Sequence, residues 1–111
     1  IVLTSMEHTS TVQSRHSSGK KLYELGDVVL DSQVPVGDAS MAFEGLQAQA
    51  GALSTVLGAV ILNAVTVEAI QYMLDHGYEP PVLMSANLDG SEAHNEAVVS
   101  RYPNLPALLD L

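Results

Sequence analysis

The chain of 111 residues, 47% apolar and without cysteine, has enough length for one modest core and excludes disulfides, zinc–thiolate sites and thiol nucleophiles. A mean hydropathy of +0.20 excludes a disordered polar chain. Thirteen acidic residues against four basic ones give a net charge of −9, which argues against duplex nucleic acid or an anionic membrane surface as a partner.

Ile1-Val2-Leu3 is a short, partly β-branched run that empties into Thr4 and Ser5, the pattern of a buried parallel strand with a polar loop at its carboxyl end. Met6 to Ser18, rich in Ser, Thr and His, has neither a helical nor an alternating period and reads as a loop. Lys20 to Leu25 fits a short helix, with Gly26 expected to stop it in a left-handed conformation. Val28-Val29-Leu30 makes a second strand, so strand, helix and strand form a parallel crossover. Residues 33–38 are turn material, and a short strand around Met41-Ala42-Phe43 followed by a turn is expected next.

From Gly45 to Val67 there is no charged residue over twenty-three positions, a length that would admit a membrane span. Gln47, Gln49, Ser54, Thr55, Asn63 and Thr66 interrupt the apolar run, and flanking Lys or Arg anchors are missing. The expectation is therefore a helix from about Ala52 to His76, buried in a soluble core or against a partner. Gly77 is a natural stop, and Pro80-Pro81 forbids continuation. Val82-Leu83-Met84 is a third extended piece. Asp89-Gly90 signals a turn, and Ser91 to Arg101 a short acidic helix with Ser91 as N-cap. Residues 103–111, with Pro103 and Pro106, form a docked or frayed tail.

Three groupings could carry chemistry. Arg15, Lys20 and Lys21 are three of the four cations, and Leu22 to Ser100 holds eleven carboxylates with no Lys or Arg. The run Ser14-Arg15-His16-Ser17-Ser18-Gly19-Lys20-Lys21 thus offers hydroxyls, glycine and charge to a phosphate, through Ser17, Ser18 and Lys20. Its spacing fails as a nucleotide P-loop, since Ser14 stands where the first Gly belongs and Lys21 where Ser or Thr is needed. Ser54 and Thr55, at the start of the long helix, can contact an anion or a sugar hydroxyl, or simply cap the helix. Among titratable groups, His8 and His16 lie beyond the first strand, where ligands of parallel sheets bind. Glu44 precedes the Ser54-Thr55 helix start and is a candidate base. No pair has metal-ligand spacing, and no metal or organic cofactor is expected.

Leu3-Thr4-Ser5-Met6-Glu7-His8-Thr9-Ser10, Ser14 to Lys20, Asp27 to Asp31, Val36 to Ala39, Gly51 to Ala59, Pro80 to Gly90 and Asn95 together resemble the C-terminal half of a SIS (sugar isomerase) domain, of the branch of bacterial phosphosugar isomerase-like proteins, up to about residue 102. The resemblance implies an α/β fold, part of a doubly wound, three-layer αβα parallel sheet whose first strands and main phosphate loops lie upstream. It implies binding of a phosphorylated sugar by Thr4, Ser5, Ser17, Ser18, Lys20, Ser54 and Thr55. The expected activity is phosphosugar isomerisation by proton transfer on an open-chain aldose or ketose phosphate, with His16 and Glu44 as acid and base. The alternatives are a sugar-phosphate-sensing module without turnover and an inert truncated piece. A homodimer or higher homo-oligomer in the cytoplasm is expected, with no nucleic acid or membrane partner.

Overall fold

In the computed structural model, which describes residues 1–102, strand β1 (Val2–Thr4) pairs in parallel with β2 (Val29–Asp31). The register is Val2↔Val29, Leu3↔Leu30 and Thr4↔Asp31. The ladder continues at both ends, through Val2 N–H to Val28 C=O (2.8 Å) and Ser32 N–H to Thr4 C=O (2.9 Å). Thr4 and Ser32 therefore stand side by side at the carboxyl end of the pair, in keeping with the run Ile1-Val2-Leu3-Thr4-Ser5. The architecture is mixed α/β, with two two-stranded sheets among the described residues.

The connection from β1 to β2 differs from expectation in two places. Met6–Thr11 is a helix, α1, where a loop was expected. Ser5 caps it, its hydroxyl accepting the His8 N–H at 3.0 Å, and six residues are too few to display a period. The second difference is at Gly26, which follows a 3-10 turn over Leu22–Leu25. Its φ of −97° is extended, not left-handed. Glycine is needed there because a Cβ would lie 2.7 Å from Val2 Cγ2. The demand is for close approach to β1, not for an unusual backbone angle.

Strand β3 (Ala39–Met41) pairs antiparallel with β4 (Ala50–Ala52), with Ala39 opposite Ala52 and Met41 opposite Ala50. The expected strand at 41–43 is thus displaced towards the N-terminus, and β4 occupies residues read as the approach to the helix. Ala50-Gly51-Ala52 lacks the β-branched and aromatic residues that mark a strand. Helix α2 runs Leu53–Asp75, within a residue of its expected limits. It ends in a Schellman motif: Tyr78 N–H reaches Met73 C=O (2.8 Å), Gly77 N–H reaches Leu74 C=O (3.1 Å), and Gly77 takes φ 75°. His76 stacks on Tyr72 at 4.0 Å between ring centroids. Burial of α2 in the chain's own core, one of its two expected settings, is not found, since none of its residues is buried.

The described chain divides into two units, Ile1–Val67 and a second from Glu68 onward. In the first, Val2 and Val34 are the buried apolar side chains. In the second, α3 (Ser91–Ser100) carries the buried Val98. Its N-cap is Gly90, at φ 80°, and not Ser91, which is the first helical residue and is itself buried. Among the described residues Val82-Leu83-Met84 joins no sheet; Asn95 instead brackets Met84, accepting its N–H at 2.8 Å and donating to its C=O at 3.0 Å. Arg101 pairs with Glu79. The expected tail, 103–111, lies outside the described residues.

Candidate functional site

A cavity of about 370 Å³ opens at the carboxyl end of the parallel pair, within the first unit. Leu3, Thr4 and Ser5 enter it from β1 and its exit, and His8 from α1. Ser32 and Val34 follow β2, Asp38 precedes β3, and Ser54 and Gly58 belong to the first turns of α2. Parallel strands expose their last residues to such a crevice, which is why ligands collect there.

The walls are tied by hydrogen bonds that cross long stretches of chain. Ser5 donates its hydroxyl to Val34 C=O while accepting from His8 N–H, so one side chain caps α1 and anchors the loop after β2. Asp31 performs the reciprocal task. Its Oδ1 accepts Gln33 N–H and Met6 N–H, each at 3.0 Å, and these bonds, Gln33 first, hold its carboxyl below the usual carboxylate range. The N-terminus of α1 and the turn after β2 are therefore fixed against each other.

His8 Nδ1 accepts the Gly37 N–H at 3.2 Å. A ring nitrogen that accepts carries no proton, so the neutral imidazole bears its hydrogen on Nε2 and offers a donor there. Asp38, at φ 68°, caps α2: its carboxylate accepts the Ser54 N–H at 2.6 Å and the Ser54 hydroxyl at 2.8 Å. Two polar side chains are left over. The hydroxyls of half-buried Thr4 and of Ser32, only 8% exposed, bond to no described residue. Among the described residues no fully buried side-chain oxygen or nitrogen lacks a hydrogen-bond partner, and both Thr4 and Ser32 are residues that line the cavity.

Of the residues selected from sequence, Thr4, Ser5 and Ser54 line the cavity together. Thr55, Ser17, Ser18, Lys20, His16 and Glu44 do not. The Ser14–Lys20 segment bonds largely to itself. Ser14 donates to Lys20 C=O (2.7 Å), Ser18 Oγ meets His16 Nδ1 (2.8 Å), and Lys20 N–H reaches Ser18 Oγ (3.3 Å). Lys21 Nζ donates to Thr9 C=O at 2.6 Å. Glu44 is exposed on the connection between β3 and β4. Asp38 and Ser32 are not among the candidate site residues that the sequence gives. Neither carries a local signal of its role: Asp38 sits in turn material six residues before Glu44, and Ser32 follows a strand. Among the described residues, no three His, Asp or Glu side chains gather as a metal site.

The chain is similar to two UPF0309 proteins of Halalkalibacterium halodurans, each 43% identical, over 111 residues (100% of this chain, 44% of the relative) and over 102 residues (92% and 42%). A UPF0309 protein of Geobacillus sp. strain WCH70 is 40% identical over 110 residues, 98% of this chain and 44% of the relative. The chain thus spans less than half the length of the curated relatives it matches. No known family profile matches it. These findings overturn the SIS resemblance: the relatives carry the UPF0309 name, which assigns no activity, and nothing in the comparisons indicates a SIS domain.

Proposed function

We propose that the cavity binds a phosphorylated sugar. The observation that carries this reading is the set of unspent polar groups around it: the Thr4 and Ser32 hydroxyls and the Nε2–H of His8, against an apolar floor of Leu3, Val34 and Gly58. Hydroxyls and a neutral imidazole exchange hydrogen bonds with sugar hydroxyls, and aliphatic side chains receive the C–H faces of a carbon skeleton. The cations at 15–21, set in an otherwise acidic chain, give an approaching anion one attractive region, on the connection that leads out of the cavity.

Isomerisation needs one group to remove a proton and a path to return it to the neighbouring carbon. Of the two titratable side chains lining the cavity, Asp38 is committed to Ser54, which leaves His8. His8 therefore replaces His16 and Glu44 as the proposed acid or base, and any second group would come from the length of the relatives that this chain does not span. The same shortage of titratable groups favours sugar-phosphate sensing without turnover as the second reading. A larger doubly wound sheet around β1 and β2 belongs to the proposal too, because parallel strands ordinarily have both faces covered.

Titration of the chain with hexose, heptose and amino-sugar phosphates, followed by ¹H–¹⁵N NMR, tests the proposal. The expected result is movement of the Gly37 and Ser32 amides, with affinity falling at least about tenfold in His8→Ala, the loss of one good hydrogen bond to a ligand. Absence of any perturbation at these amides overturns the binding reading; binding with no product signals selects sensing over isomerisation.

A further inference from the structure

The N-terminus of α2 borders the cavity, and by its free N–H groups and dipole such a helix end would ordinarily receive a ligand's phosphate. Here the chain has placed an anion of its own. Asp38 grips Ser54 with both carboxylate oxygens, at 2.6 Å to the N–H and 2.8 Å to the hydroxyl. Its backbone is left-handed, φ 68°, a region in which Asp and Asn are favoured among residues other than Gly. The Leu53 N–H to Asp38 C=O bond (3.2 Å) completes that hold. A phosphate seated on Ser54 would meet this carboxylate at contact distance, with like charges opposed.

The unspent groups lie elsewhere on the wall, and none of them is an anion. Ser32 is more than nine-tenths buried, lines the cavity and has no partner for its hydroxyl among the described residues; its N–H bonds to the C=O of Thr4, which pairs with Asp31 and also lines the cavity. His8 offers Nε2–H, and it is joined to the cap because the residue bonded to its Nδ1, Gly37, is the one before Asp38.

Resting on the sugar-phosphate reading, we propose that Asp38 is a specificity-determining residue that sets the ligand's orientation. It excludes the phosphate from the N-terminus of α2 and admits the hydroxyl-bearing end of the carbon chain to Thr4, His8 and Ser32. The ligand class is then a sugar or polyol monophosphate whose phosphate is bound outside this cavity wall.

The test uses three probes on the full 111-residue chain, read by ¹H–¹⁵N NMR: sorbitol, sorbitol 6-phosphate and inorganic phosphate. In the wild type, sorbitol and sorbitol 6-phosphate are expected to move the Ser32 and Gly37 amides, while inorganic phosphate leaves the Ser54 amide in place. Asp38→Asn removes the charge and tolerates the left-handed backbone; Asp38→Gly also removes the side chain that covers the helix end. Inorganic phosphate is expected to shift the Ser54 amide in Asp38→Gly, with at least about tenfold tighter binding than in the wild type and Asp38→Asn in between. A phosphate-induced shift at Ser54 in the wild type overturns the proposal, and so does Asp38→Gly gaining no phosphate affinity. If neither sorbitol compound moves any amide, the sugar-phosphate reading fails, while the comparison of inorganic phosphate at Ser54 still decides what Asp38 excludes.

Discussion

The carboxylate of Asp38 and Ser54, the second residue of α2, are joined across sixteen positions of chain, with Ser54 donating both its N–H and its hydroxyl to that one side chain. This bond closes the β3–β4 hairpin onto the helix it precedes. Asp38→Ala removes the cap and leaves a Cβ-bearing residue at φ 68° with no side-chain bond to hold it there. The expected loss is about 1–2 kcal/mol of unfolding free energy, from a cap worth about 1 kcal/mol and some left-handed strain. Asp38→Asn, which keeps an acceptor and tolerates that backbone, is expected to lose less. Urea denaturation of both variants measures this, and equal losses would show that the cap bond contributes nothing.

Much of this geometry is legible in the amino-acid sequence. The uncharged run after Glu44, with Gly77 and Pro80-Pro81 beyond it, bounds α2 to within a residue, because helix ends are written in a few strong signals. The parallel pair is visible in its Val and Leu residues, and the hydroxyls of Thr4 and Ser5 follow from their place at the strand end. What stays hidden depends on partners distant in sequence. Ser32 gives no local sign that its hydroxyl will be left unbonded, and Asp38 gives none that it will hold Ser54. The Ser14–Lys20 segment misleads in the opposite direction. Its hydroxyls look free for a ligand, yet polar residues closely spaced in a loop readily satisfy one another.

Gly26 is the site where a single methyl group should matter most. A Cβ there would fall 2.7 Å from Val2 Cγ2 and 3.3 Å from Val2 Cβ, with Val2 already buried in β1. Gly26→Ala is expected to destabilise by about 1–3 kcal/mol through overpacking, although its φ of −97° suits alanine. The double variant Gly26→Ala with Val2→Ala relieves the contact, so it should recover part of the loss from Gly26→Ala alone. A double-mutant cycle showing strict additivity would remove the clash as the cause.

Gly58 makes the contrasting case. It lies inside α2, and a Cβ would sit 3.7 Å from Leu3 Cδ2, ordinary contact. Gly58→Ala is expected to raise stability by up to about 1 kcal/mol through helix propensity, while narrowing the cavity that Gly58 lines. Higher thermal stability combined with weaker sorbitol 6-phosphate binding is the expected pattern. Unchanged affinity would place the ligand away from this wall.

Asp31 supplies the pH dependence. Its carboxyl titrates below its ordinary value of 3.8 because Gln33 N–H and Met6 N–H bond to the ionised form. A depressed folded-state value means that the stabilisation is fully present above the unfolded-state range and is lost as pH falls through the folded-state midpoint. Stability should therefore decline below about pH 4, the ordinary carboxylate range, partly through Asp31. Asp31→Asn should flatten that portion of the acid profile. Direct ¹³C titration of the Asp31 carboxyl is expected to give a midpoint below 3.8, and a midpoint at or above it would exclude these bonds in solution.

Helix α2 predicts the state of the chain in solution. It has no charged residue from Leu53 to Val67, and none of its side chains is buried. Val56 and Val60, one turn apart on the same face, are 60% and 59% exposed. A helix with so long an uncharged, largely apolar stretch is ordinarily covered. Two copies carrying −9 each would repel through most of their surface, but this stretch lets them meet without opposing carboxylates. The expected occupant of the α2 face is therefore a second copy of the chain. Sedimentation velocity in plain buffer should show a homodimer, and Val56→Glu with Val60→Glu should weaken it at least about tenfold, since two buried valines contribute well over about 1.4 kcal/mol. A monomer in buffer that partitions onto phosphatidylcholine vesicles would make lipid the covering surface instead, as the length and hydropathy of α2 would allow. A glutamate pair that leaves the dimer unchanged would move the interface off this face of the helix.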